Sequence, residues 1–128
     1  MREKLIIDCA SFTVQAGAAA ARQLLRTANR SFTAIVAAND MLALGCYDAL
    51  TEAGLACPKD VSVTGYNDMP FADRFNPPLT TLRIPHDQLG VQSGLLLLRK
   101  MRDPAVVVPS MHLEPALVVR GSTMAIQR

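Results

Sequence analysis

Residues 33–68, TAIVAANDMLALGCYDALTEAGLACPKDVSVTGYND, contain the pattern that decides the fold. The short continuous apolar run at 33–38 predicts a strand that is buried on both faces. Residues 40–53 are good helix formers without a proline, and 61–66 form a second apolar run. A strand, a helix and a strand in this order predict two parallel strands that are joined by a right-handed crossover.

The same alternation extends in both directions along the chain. Before this stretch, 4–9 is predicted to be a short strand and 13–29 a helix rich in Ala and Leu. After it, 76–85 is extended and punctuated by prolines, 86–102 is predicted to be a third helix, and 111–120 a strand pair or a bent strand broken at its proline. The expected fold class is therefore α/β: a three-layer parallel sheet with flanking helices.

The composition predicts a single compact domain. The chain has 128 residues, half of them hydrophobic, and its 13 basic and 11 acidic side chains give a net charge of +2. A charge this small, with Lys and Arg scattered along the chain, does not indicate a nucleic-acid-binding surface. The sequence shows neither a signal peptide nor a transmembrane segment, so no membrane partner is expected.

Cysteine and histidine usage argues against a disulfide framework and against a metal cluster. Cys9, Cys46 and Cys57 are odd in number and lack CxxC spacing, which favours free thiols in a reducing compartment. His86 and His112 lie far apart and neither belongs to a ligand motif. We therefore expect no metal and no cofactor.

Polar or aromatic residues follow each predicted strand at its carboxyl end, where open parallel sheets bind their ligands. Three pairs stand there: Ser11 with Phe12, Asn39 with Asp40, and Asn67 with Asp68. An aromatic face beside amides and carboxylates suits a sugar, a nucleobase or a similar small polar ring.

Purely structural roles remain open for the same residues. Asn and Asp are favoured N-caps, so Asn39 or Asp40 can simply cap the following helix, and capping is the main expectation for Asp40. Phe12 can belong to the core. Asn67 and Asp68 can form a turn, because both side chains readily hydrogen-bond their own backbone.

Motifs for catalysis are missing from the sequence. It has no GxGxxG, no GxSxG and no P-loop, and Ser11, Ser62 and Ser93 have no histidine nearby in sequence. Asp8, inside the first predicted strand, is interpreted as a structural acid. A binding protein is expected, and not an enzyme.

Two stretches carry a resemblance to a known family. FTAIVAANDMLALGCYDALTEAGLACPKDVSVTGYNDMPFADRFNPPLTTLRIPHDQLG at 32–90 and LVVRGST at 117–123 resemble the effector-binding domain of lactose-repressor/galactose-repressor (LacI/GalR) family regulators. The resemblance covers nearly the whole chain from about residue 6. It implies one lobe of a periplasmic-binding-protein-like (class I) fold, with a ligand in the cleft between two lobes and a DNA-reading headpiece at the family's N-terminus.

The resemblance also implies how the chain is laid out. Residues 1–128 correspond to the C-terminal portion of the effector-binding domain, and 86–107 correspond to an excursion into the other lobe. The headpiece and most of the first lobe are expected to be absent, so operator DNA is expected to bind only the full-length protein. The helix at 86–102 would lack its partner sheet, which predicts self-association.

Five ligand-binding residues can be carried over from the family. Phe12 occupies the place of the ring-stacking aromatic, and Asn39 that of the cleft asparagine. Asn67 stands where the family usually has an aspartate, and Met41 and Ile84 fall where some sugar-binding members have polar residues. The three departures make the expected cleft more apolar and neutral, because asparagine carries no charge and both donates and accepts hydrogen bonds. The expected effector is a sugar or a similar polar ring; the three departures favour a less polar ligand or no ligand.

The family dimerises through this lobe, and the chain is expected to do so too. Leu44 and Phe75 match interface positions, and Phe71 lies between them in sequence. The resemblance implies a cytoplasmic regulator that works as a homodimer. The alternative is a periplasmic solute-binding protein of a sugar transporter, which shares the fold.

Overall fold

The computed structural model describes residues 5–27 and 31–125. Its elements follow in chain order: α1 (Val14–Thr27), β1 (Ala34–Val36), α2 (Asp40–Glu52), β2 (Ser62–Asn67), a 3-10 turn (Ala72–Arg74), β3 (Thr80–Arg83), α3 (His86–Arg102) and β4 (Ala116–Val118). The predicted helices at 40–53 and 86–102 and the predicted strands at 33–38 and 61–66 are confirmed. The helix predicted at 13–29 is confirmed as far as Thr27, and 28–30 lie outside the described residues.

The four strands form one sheet in the order β1-β2-β3-β4. β1 and β2 are parallel, with Ile35 opposite Val63, and β2 and β3 are parallel, with Gly65 opposite Thr81. α2 packs on β2, and α1 packs on α2. The prediction of an α/β fold with flanking helices is confirmed, and the predicted parallel pairing holds for β1, β2 and β3 within a mixed sheet.

The core forms where the apolar side of α2 meets the sheet. Its deeply buried side chains include Ala43, Leu50, Val63 and Leu79. Burying a Leu or Val side chain contributes about 1.5–3 kcal/mol, so this layer supplies much of the stability of the fold.

α1 approaches α2 closely because each helix has a glycine at the crossing. A Cβ atom at Gly45 would collide with the backbone of Val14 and Ala18, and one at Gly17 would collide with the backbone of Leu42. The two helices can therefore pack this tightly only while both positions lack a side chain.

The chain divides into two compact units. Met1–Arg83 and Leu117–Arg128 make up the first, and Ile84–Ala116 the second. The second unit contains α3, none of whose residues is buried, followed by a segment without regular structure. Within this unit the Lys100 Nζ donates a hydrogen bond to the carbonyl of Val106 at 3.1 Å.

The strand predicted at 4–9 is wrong for the residues described, 5–9, which form no strand. The segment has the burial pattern of a strand, since Leu5, Ile7 and Cys9 are half-buried and Ile6 and Asp8 are exposed. Among the described residues it pairs with no strand: it and β1 both line a cavity of about 700 Å³, and no backbone ladder joins them. Residue 4 lies outside the described residues.

The two proline-containing stretches differ from their predictions in detail. The segment predicted only as extended, 76–85, contributes β3, which starts two residues after Pro78. In the tail, β4 begins directly after Pro115, and 111–115 form no strand, so the predicted strand pair is wrong. Proline has no N–H to give to a ladder, which explains why both strands begin after one.

Candidate functional site

The carboxyl ends of β1 and β2 bring two asparagines to the same edge of the sheet. Asn39 lies at the start of α2, three residues after β1 ends, and Asn67 is the last residue of β2. Both strands point the same way, so their final residues face the same side of the lobe. This edge is the candidate site.

Asn39 is the N-cap of α2. Its Oδ1 accepts a hydrogen bond from the backbone N–H of Leu42 at 2.8 Å. That bond uses the acceptor of the carboxamide and leaves its two N–H donors for another partner. The cap and the predicted contact with a ligand are therefore compatible, and the ligand contact stays a prediction.

Asp40 does not cap the helix, so the main expectation for this residue is wrong. Its side chain is fully buried. Its Oδ2 accepts from the Met69 N–H at 2.7 Å, and its Oδ1 accepts from the Thr81 hydroxyl at 2.6 Å. Gly65 makes room for this carboxylate, because a Cβ atom there would collide with its Oδ1. Asp40 thus ties the loop after β2 to β3.

Asn67 and Asp68 adopt an uncommon backbone conformation. Their φ angles are 110° and 54°, although neither is a glycine. Such conformations cost on the order of 1–3 kcal/mol each and persist only where the surroundings hold them. In the parts of the chain that the structure describes, the Asn67 carboxamide has no hydrogen-bond partner. It is half-buried at the edge, where a ligand can reach it.

Two arginines hold Asp68. The Arg83 Nε lies 2.7 Å from its Oδ2, and one Arg120 guanidinium nitrogen lies 2.7 Å from its Oδ1. Another nitrogen of Arg120 donates to the Leu79 carbonyl at 2.8 Å. The Asp68 side chain is 6% exposed, and both of its oxygens form ion pairs within the protein.

The ionisation of Asp68 follows from these contacts. Burial raises the pKa of this carboxyl, but hydrogen bonds and charge from Arg120 and Arg83 outweigh burial and hold the pKa below its usual value. Asp68 is therefore ionised and paired at neutral pH.

The other three predicted ligand residues are Phe12, Met41 and Ile84. Phe12 lies in the bend before α1 with its side chain 66% exposed, so its ring does not belong to the core. It lines the 700 Å³ cavity together with Ala38, the residue before Asn39. Met41 is half-buried in the first turn of α2. Ile84 belongs to the second unit and is described with that unit alone.

Two of the predicted interface residues, Phe71 and Phe75, belong to an aromatic cluster. Phe75 is 9% exposed and packs edge-on against Tyr47, with ring centroids 5.8 Å apart. Phe71 stacks on Phe75 at 5.9 Å and is 37% exposed. Leu44 is half-buried on α2. Phe75 therefore supports Phe71 from inside the lobe, while Phe71 presents the accessible ring.

The three cysteines are free thiols. Burial raises the pKa of Cys46 to about 12, and burial also raises the pKa of Cys57. These two thiols are therefore protonated at neutral pH, a state in which they are poor nucleophiles.

The described ranges contain neither a group of metal ligands nor a membrane-spanning helix. There, no three or more His, Cys, Asp or Glu side chains are placed to share a metal ion. Within 5–27 and 31–125, no helix has both the length and the apolar character that crossing a bilayer demands.

Sequence reasoning missed the residues that hold the loop after β2. Thr81 and Arg83 lie on β3, and Arg120 follows β4, far along the chain from Asp40 and Asp68. The parallel register of β2 and β3 brings Thr81 and Arg83 to this loop, and Arg120 arrives from beyond β4; no spacing in the sequence shows either. The one available signal was the presence of two carboxylates at the ends of apolar strands, which require partners when buried.

Comparison with known proteins gives a consistent picture. Residues 2–123 match the family model of the periplasmic binding protein-like domain. The HTH-type transcriptional regulator MalR of Streptomyces coelicolor is 41% identical over 125 residues, which are 94% of this chain and 34% of that protein. The chain thus spans about a third of the length of that relative.

Two solved structures are similar as well. A LacI family transcriptional regulator from Enterococcus faecalis V583 with bound ribose has a TM-score of 0.81 and 35% identity, covering 91% of this chain and 42% of its own. A complex of the transcriptional regulator CelR with cellobiose has a TM-score of 0.87 and 30% identity, covering 95% of this chain and 37% of its own.

Proposed function

The chain belongs to the periplasmic binding protein-like domain family, and from this membership we propose that it is the effector-sensing and dimerisation lobe of a LacI-type transcriptional regulator. In this proposal a small molecule binds at the edge formed by Asn39 and Asn67. Its binding favours one arrangement of the lobes and so alters the fit of paired headpieces to operator DNA.

One observation carries the proposal: the carboxylates and the carboxamides at the strand ends have separate roles. Asp40 and Asp68 are engaged by partners inside the lobe. Asn39 keeps its amide donors free, and Asn67 keeps its whole carboxamide free among the described residues. The edge therefore offers neutral amide groups, which suit the hydroxyls of a sugar or of a similar polar ring.

The relatives support this class of effector. One solved neighbour holds ribose and another holds cellobiose. In the proposed site Phe12 stacks on the face of the ring, and Met41 adds an apolar contact. These apolar contacts favour a ligand with fewer hydroxyls than the sugars that fully polar clefts bind.

The proposal also covers the partners of the protein and its location in the cell. Leu44 and Phe71 contact a second copy in a homodimer, with Phe75 supporting Phe71 from within. Residues 86–107 enter the other lobe of the same domain, which is supported by the separation of Ile84–Ala116 as a unit. The protein acts in the cytoplasm, catalyses no reaction, and reaches operator DNA only through a headpiece. The transporter alternative receives no support from the relatives, which are transcriptional regulators.

The test is a ligand-observed NMR titration of the 128-residue chain with ribose and with cellobiose. Asn67→Gly removes the carboxamide and keeps the backbone conformation, since glycine readily adopts positive φ. Asn39→Ser keeps a capping oxygen and removes the amide donors. Each variant is expected to bind about tenfold more weakly, as for the loss of one hydrogen bond.

Thr51→Ala is the matched control, because Thr51 is exposed at the far end of α2. It is expected to bind as the wild type does. Binding is expected to be weak, because this lobe supplies one side of the cleft only. The proposal is contradicted if neither sugar binds to the wild type at millimolar concentration, or if all four proteins bind equally.

A further inference from the structure

The carboxyl edge of the sheet exposes a third polar group besides the two asparagines. Arg83 is the last residue of β3, and it lies opposite Asn67, the last residue of β2, in the parallel register. The Arg83 side chain is 58% exposed, whereas the side chain of its partner Asp68 is 6% exposed. Arg83 is therefore the accessible member of this ion pair.

The ion pair holds the Arg83 guanidinium in place and uses only part of it. Its Nε donates a hydrogen bond to the Asp68 Oδ2 at 2.7 Å. Among residues 5–27 and 31–125, neither of its two Nη atoms has a hydrogen-bond partner. A guanidinium carries further N–H donors on these atoms. Arg83 thus offers a ligand a set of donors whose position Asp68 already fixes.

The acceptors at the same edge are already in use. Both oxygens of Asp40 accept hydrogen bonds inside the lobe, and both oxygens of Asp68 form ion pairs. Asn39 uses its Oδ1 to cap α2 and keeps its two N–H groups. The groups that remain for a ligand are therefore mostly donors, and a ligand rich in acceptors complements them.

Of the charges at this edge, the accessible one is positive. Asp68 carries one negative charge between two guanidinium groups, those of Arg83 and Arg120, and Arg120 is only 17% exposed. The Asp40 carboxylate is fully buried. A group that approaches from solvent thus meets the Arg83 guanidinium before it meets a carboxylate. A guanidinium binds phosphate and carboxylate groups through paired, charge-assisted hydrogen bonds.

We infer that Arg83 is a specificity-determining residue of this site, and that the effector carries an acidic group, a phosphate or a carboxylate, on its polar ring. The inference rests on the proposed function, because it takes the edge formed by Asn39 and Asn67 as the ligand site. The two amides contact the ring hydroxyls, and Arg83 contacts the acidic group. The charge of Arg83 then distinguishes an acidic ligand from its neutral parent.

The test compares acidic ligands with their neutral parents on the 128-residue chain. Ribose 5-phosphate is compared with ribose, and glucuronate with glucose, in titrations followed by the amide NMR signals of residues 66–69 and 83. At least one acidic ligand is expected to bind about tenfold more tightly than its parent, as for an added charge-assisted contact. The pair that responds identifies the acidic group.

Inorganic phosphate measures what the anion contributes without a ring. It is expected to bind at least about tenfold more weakly than the acidic ligand that responds, because it lacks the contacts of the ring with the two asparagines. Equally tight binding of inorganic phosphate would show a surface anion contact that does not read the ring, and would overturn the inference.

Two variants of Arg83 and one control locate the effect. Arg83→Gln removes the charge and is expected to abolish the preference for the acidic ligand, while the neutral parent binds within about twofold of the wild type. Arg83→Lys keeps the charge and is expected to retain a preference. Arg26→Gln removes the same charge from the exposed last turn of α1, opposite the carboxyl edge, and is expected to behave as the wild type does. Circular dichroism establishes that each variant is folded.

The inference is overturned if neither acidic ligand binds more tightly than its parent, or if a folded Arg83→Gln variant keeps the preference. In both cases the proposed function stands as long as a neutral sugar shifts the amide signals at the edge. If no neutral or acidic sugar shifts them, the proposed function itself fails, and the inference fails with it.

Discussion

At the scale of single residues, burial decides which polar groups hold the lobe together and which remain for a ligand. Asp40 and Asp68 both follow apolar strands, and both end inside the protein with their oxygens engaged. Asn39 and Asn67 stand next to them in sequence and keep donors or acceptors free. The sequence predicted the edge where these residues meet, but it could not assign their separate roles, because the partners come from β3 and from beyond β4.

Asp68→Asn is predicted to destabilise the fold by about 1–3 kcal/mol. The change leaves Arg120, whose side chain is only 17% exposed, without its charged partner. Equilibrium denaturation by urea at pH 7 measures this loss. Asp73→Asn, at an exposed position in the 3-10 turn, is the matched control and is expected to change the free energy of unfolding by less than about 0.5 kcal/mol.

The ion pairs of Asp68 predict that the free energy of unfolding depends on pH. The pKa of Asp68 is lower in the folded protein than in the unfolded chain, where an aspartate has a pKa of about 3.9. Its stabilising contribution is therefore complete above that value and is lost as the pH falls through the folded pKa. The free energy of unfolding should fall more steeply below about pH 4 in the wild type than in Asp68→Asn. Identical slopes would contradict the assignment.

At the scale of elements, the central β-α-β stretch was predictable because each part is specified locally. The apolar runs, the helix formers and the positions of the prolines all lie within a few residues of the elements that they define. The strand expected at 4–9 failed because a strand exists only when another strand pairs with it, and the open edge of β1 lies across a cavity. The alternating pattern at 5–9 shows only which side chains are half-buried and which are exposed.

Gly45→Ala is predicted to destabilise the fold by about 1–3 kcal/mol, although alanine is the better helix former. The new methyl group would collide with the backbone of Val14 and Ala18, so α1 would have to move away from α2. Thermal or urea denaturation followed by circular dichroism measures the change.

Gly90→Ala in α3 provides the matched comparison. A Cβ atom there meets nothing within 4 Å, so only helix propensity acts and the variant is expected to be more stable by up to about 1 kcal/mol. Equal effects at the two glycines would contradict the close crossing of α1 and α2.

At the scale of the whole molecule, the chain combines a folded lobe with a second unit that buries little. None of the residues of α3 is buried, and its leucines are largely exposed. Apolar surface of this kind drives association in water. The resemblance led us to expect this feature, because it implies that the helix at 86–102 lacks its partner sheet. Leu95 to Leu98 are four consecutive leucines, which cover every side of that helix.

Self-association at high micromolar concentration is therefore predicted, measured by sedimentation velocity. Leu95→Gln combined with Leu98→Gln is expected to shift the chain toward the monomer if α3 drives association. Phe71→Ser is the parallel variant for the proposed interface on the lobe, and a larger shift from it would favour that surface. A wild-type chain that stays monomeric throughout would contradict both.

The central claim is that the edge formed by Asn39 and Asn67 binds a small polar effector. The most direct measurement is a two-dimensional amide NMR spectrum of the ¹⁵N-labelled chain titrated with ribose. The account predicts concentration-dependent shifts that concentrate at residues 38–42 and 66–69 and are weakened by Asn67→Gly. Shifts confined to α3, or a spectrum unchanged at millimolar ribose and cellobiose, would contradict it.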